Sequence, residues 1–68
     1  MDTEEIVVSG LLVEIRRDKT GKWQEDELFI FASEEGLEDA EVANIINYLY
    51  EEAFIMDRRI NYEIIYDK

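Results

Sequence analysis

The sequence predicts a small α+β domain in the order β-β-α-β, a three-stranded, mainly antiparallel sheet with one long helix packed on one face. Three observations carry this. Apolar residues alternate with a period of two over residues 6–17, 26–32 and 60–66, and the period changes to 3.6 between residues 38 and 56. Hydrophobic residues make up 47% of the chain, with four Tyr, three Phe, one Trp and no Pro, so burial can offset the ordering entropy despite the high charge. Sixty-eight residues are expected to form a single acidic domain, residues 1–68, with a modest core and little room for a deep active site.

The first strand is expected over residues 6–17. Ile6 and Val8 continue as Leu11, Val13 and Ile15 on one face, with Val7, Leu12, Glu14 and Arg16 on the other. The phase slips by one at Ser9-Gly10, which reads as a β-bulge. Asp18-Lys19-Thr20-Gly21-Lys22 has turn chemistry and should cap a hairpin. The second strand, from about Asp26 to Ala32, sets Leu28, Ile30 and Ala32 against Phe29 and Phe31. Being apolar on both faces, it suits a central position.

Val42, Ile45, Ile46, Leu49, Ala53 and Met56 form the core stripe of a helix expected from about Glu38 to Met56. Glu38, Asp39 and Glu41 complement the helix dipole at its start, and Arg58 and Arg59 follow its end. A last strand alternates Ile60, Tyr62, Ile64 and Tyr66 with Asn61, Glu63 and Ile65. One helix covers one sheet face, so Val7, Leu12, Phe29, Phe31 and Ile65 are expected on a face that nothing in the chain covers.

Charge is the other informative feature. Between Trp23 and Asp57 stand eleven carboxylates and no Lys or Arg, which equals the formal net charge of the whole chain, −11. Such a molecule repels nucleic acid and anionic membrane and attracts basic proteins. With no Cys and no His, disulfides, thiolate or imidazole metal sites and Cys/His nucleophiles are excluded. The acids match no calcium-loop spacing, and Thr20-Gly21-Lys22 lacks the upstream glycine of a phosphate loop. No catalytic pair, metal or cofactor is therefore expected. The acidic opening Met1-Asp2-Thr3-Glu4-Glu5 and the lack of a long apolar run point to a cytoplasmic protein.

The function expected is non-enzymatic: an acidic protein-binding module, in the form of a small inhibitor of the phage or plasmid type that mimics DNA and blocks a basic nucleic-acid-binding protein. Its acidic contacts would be Glu25, Asp26, Glu27, Glu34, Glu35, Glu38, Asp39 and Glu41. Trp23, Phe29, Phe31, Tyr48 and Ile55 would serve partner binding or self-association, a homodimer being the expected assembly. The alternative is a small accessory subunit or homodimer whose acidity serves solubility alone.

Overall fold

The computed structural model describes residues 2–18, 20, 22 and 24–67. Four strands and one helix follow in the order β1 (Asp2–Val8), β2 (Leu11–Arg17), β3 (Glu25–Ala32), α1 (Asp39–Glu51) and β4 (Arg59–Tyr66). The small α+β fold is as expected, but the sheet has four strands, not three, and is mixed. Its spatial order is β1-β2-β3-β4. β1/β2 and β2/β3 pair antiparallel, and β3/β4 pair parallel across the crossover that contains α1.

The extra strand comes from Ser9-Gly10. Both residues have positive φ, 52° and 79°, and Val8 pairs with Leu11, the geometry of a two-residue type I′ hairpin turn. A bulge and a two-residue hairpin shift the side-chain phase by the same single residue. The expected strand of residues 6–17 is thus two strands folded back on each other, and Ile6 and Val8 still share a face with Leu11, Val13 and Ile15.

In the turn leading into β3, Asp18 Oδ1 accepts hydrogen bonds from the Thr20 amide at 2.9 Å and the Thr20 hydroxyl at 2.6 Å. This is the Asx-type chemistry expected of that turn. Lys19, Gly21 and Trp23 lie outside the described residues.

The helix is shorter than expected, ending at Glu51, not Met56. Ala53 takes a left-handed conformation (φ 62°). Its N–H donates to the Tyr50 carbonyl at 3.1 Å, and the Phe54 N–H donates to the Leu49 carbonyl at 3.0 Å. These are the two bonds of a Schellman termination. Glu51 and Glu52 stand at the negative end of the helix dipole, where carboxylates are unfavourable, and the last turn holds no basic residue. The expected match of Arg58 and Arg59 to the helix end is therefore not found: Arg59 opens β4, and Arg58 lies between the helix and that strand.

An alanine in this conformation is strained in a way glycine is not. Because Ala53 is exposed, Ala53→Gly is expected to raise stability by about 1 kcal/mol, read as a higher urea midpoint with an unchanged slope.

The core lies between α1 and the sheet. Val42, Ile45 and Leu49 of the helix pack with Val8, Val13, Ile15, Leu28, Ile30 and Ile55. Ala53 and Met56, expected in the core stripe, are exposed. Ile55, expected on an outward flank, is fully buried (0% exposed). The Schellman turn reverses the chain after Glu52, so residues 53–56 no longer follow the helical period, and Ile55 swings inward where Met56 swings out.

Candidate protein-binding face

The register assigns every strand residue to one of two faces. On the side away from α1, one row across all four strands reads Val7, Leu12, Phe31 and Ile65. The next reads Glu5, Glu14, Phe29 and Glu63, and the third Thr3, Arg16, Glu27 and Asn61. The five residues expected on an open face thus stand together, with Val7 68% exposed. The resulting surface has an apolar band at one end and a carboxylate-bearing zone beside it. Its strands carry Glu5, Glu14, Glu25, Glu27 and Glu63 against Arg16 and Arg59.

Within that zone Glu5 stands directly opposite Glu14, a like-charge cross-strand pair that is unfavourable by itself. Arg16 relieves it. Its Nε lies 2.6 Å from Glu14 Oε1, while its guanidinium carbon sits 4.3 Å from the centre of the Phe29 ring, within cation–π range. Arg16 thereby ties the polar zone to the edge of the apolar band. Glu63 is the register neighbour of Phe29 on the far side, so carboxylates flank this ring along the row on both sides.

The expected acidic contacts separate into four groups. Glu25 and Glu27 are exposed on the open face, at the beginning of β3. Glu34 and Glu35 are exposed in the bend after β3, and Glu38, Asp39 and Glu41 are exposed at the start of α1. Asp26 is a correction. Its carboxylate points to the helix side and is completely buried (0% exposed), where it accepts a hydrogen bond from Arg58 Nε at 2.7 Å. Arg17 Nε lies 3.8 Å from its other oxygen, and Arg17 Nη1 lies 3.9 Å from Glu4. A buried carboxylate clamped by guanidinium groups holds the fold and is closed to a partner.

The apolar contacts divide as well. Phe29 and Phe31 are half-buried on the open face, and Tyr48 is exposed on α1, on the other side of the sheet. Ile55 is a core residue, which removes it from any binding surface. Trp23 is outside the described residues. Glu5, Glu14 and Glu63 were not singled out as contacts in the sequence, although their two-residue spacing from Val7, Leu12 and Ile65 puts them on the same face; only the pairing of strands brings them around Phe29.

A concavity of about 700 Å³ opens at the beginning of β3 and β4, lined by Lys22, Gln24, Glu25, Tyr50, Met56 and Arg58 among others. It shares Glu25 and Arg59 with the end of the open face and mixes both signs of charge. Among the described residues no three carboxylates converge as a metal cage would require, and no helix is long and apolar enough to cross a membrane. The chain matches no protein-family model, no curated protein and no solved structure.

Proposed function

We propose that this protein is a non-enzymatic acidic binding module that receives a basic protein on its uncovered sheet face. The observation that carries the reading is the juxtaposition of the Val7–Leu12–Phe31–Ile65 band with the carboxylates around Phe29. Protein interfaces combine an apolar centre with a polar rim. A rim with more carboxylates than guanidinium groups favours a partner of opposite charge and speeds their encounter.

In the finer form of this proposal the partner is a nucleic-acid-binding protein, and the acids stand in for phosphates. Glu25 and Glu27 are the first and third residues of β3, and Glu34, Glu35, Glu38, Asp39 and Glu41 lie beyond its end. Eight strand residues span roughly 26 Å at about 3.3 Å each, so a cleft shaped for the DNA backbone would meet anions at both ends of the strand.

Capture from a cell lysate at low and high salt tests this. DNA-binding proteins should be retained at low salt, released at high salt, displaced by duplex DNA, and lost when Glu25, Glu27, Glu34 and Glu35 are changed together to Gln. Retained proteins that ignore salt and these changes but are lost with Phe29→Ala or Phe31→Ala would replace this reading with that of an accessory subunit.

A further inference from the structure

We propose that two copies of this chain join along β4, antiparallel, to form one continuous eight-stranded sheet about a two-fold axis at Tyr62. β4 is an edge strand, paired among the described residues with β3 alone. Five of its eight residues are large and apolar (Ile60, Tyr62, Ile64, Ile65, Tyr66), yet it is the only strand with no buried residue. Tyr62 states the deficit most clearly. Its register partner Leu28 is 1% exposed, whereas Tyr62, on the same helix-facing side, is 50% exposed. The helix therefore closes over β3 and leaves the outer border of β4 open.

An open edge of this kind is normally guarded by Lys, Pro or a cluster of like charge. The opposite edge is guarded so: β1 carries Asp2, Glu4 and Glu5 among its seven residues, which would repel a second β1. β4 has no Lys and no Pro, and its only charges are one cation, Arg59, and one anion, Glu63. Those charges suit a copy of itself. A two-fold axis perpendicular to the sheet requires opposed residues to share a face, and centring it on Tyr62 overlaps residues 59–65.

On the helix side Ile60 then faces Ile64 of the second copy, with the two Tyr62 rings between these pairs, the aromatic and β-branched combinations that stabilise adjacent strands. On the other side Asn61 faces Glu63 of the second copy, and Arg59 reaches the same Glu63 on the diagonal, within range of a long side chain. Centring the axis on Glu63 would instead oppose two carboxylates, and centring it on Asn61 would shorten the overlap to residues 59–63.

This assembly uses an edge, not the open face, and stands or falls separately from the binding of a basic partner. Salt separates the two. Each copy carries −11, so screening strengthens the dimer while weakening capture of a cation-rich protein. Sedimentation velocity of the full chain at about 50 mM and about 500 mM NaCl, where the Debye length falls severalfold, should give a particle of twice 8.1 kDa that is more populated at the higher salt.

Tyr62→Glu should weaken the dimer at least tenfold. Arg59→Glu should weaken it too, and adding Glu63→Arg should restore it, whereas adding Glu35→Arg, which returns the net charge to −11 at a position off the strand, should not. Circular dichroism checks that each variant is folded; if Tyr62→Glu is not, the exchange at the exposed Arg59 and Glu63 decides. A monomer at both salts up to about 0.5 mM protein, a dimer that Phe31→Glu breaks and Tyr62→Glu does not, or no rescue by the double exchange would overturn the proposal.

Discussion

Asp26→Ala is expected to destabilise the protein by about 3–5 kcal/mol, because it leaves two part-buried guanidinium groups without their counter-ion. A 68-residue chain has roughly 3–10 kcal/mol in total, so the variant should lose a large share of its stability, read as a much lower urea midpoint at 25 °C. The two arginines are not equal partners in this cluster. Arg58 makes the short bond to Oδ1, at 2.7 Å, whereas Arg17 stands 3.8 Å from Oδ2, too far for a hydrogen bond.

Asp26 Oδ2 and Arg17 Nε and Nη2 are indeed buried without a hydrogen-bond partner, a desolvation cost that the fold already carries. Arg58→Met should therefore lose most of what Asp26→Ala loses. Arg17→Met, which removes two unsatisfied donors along with a distant charge, should cost under about 1 kcal/mol. Equal losses from the two arginine variants in urea titrations would contradict this division.

The second large effect is expected at Ile55. Truncation to alanine removes three methyl or methylene groups from a fully buried position and should cost about 2–5 kcal/mol. At the neighbouring Met56, 58% exposed, the same truncation should change stability by no more than about 0.5 kcal/mol. A helix continued to Met56 would reverse the order of these two losses. The pair thus tests the Schellman turn at Ala53 by a route independent of Ala53→Gly.

Much of the core was legible as alternation. Leu28, Ile30 and Ala32 share a face because strand side chains alternate, and Val42, Ile45 and Leu49 share one because helices repeat every 3.6 residues. The open face was legible for the same reason. Asp26 has the parity of Leu28 and Ile30, so its inward direction was contained in the pattern; as a carboxylate in an acidic run it was assigned to the surface. Its partners Arg17 and Arg58 lie nine and thirty-two positions away, and no local pattern joins them.

What the sequence determined by itself is local. It set which residues alternate, which follow a helical period, where the chain can turn, and that the molecule carries a large negative charge distributed over its surface. What the tertiary structure decided depends on pairing and chain reversal. A phase slip at Ser9-Gly10 is the same for a bulge and a two-residue hairpin, and positive φ at both residues with Val8 beside Leu11 makes four strands where three were expected. A helical stripe continues on paper past Glu52, and the left-handed Ala53 ends it and sends Ile55 inward. The parallel seating of β4 on β3 leaves a tyrosine- and isoleucine-rich strand at the border of the sheet, because only packing tells a strand with two neighbours from a strand with one.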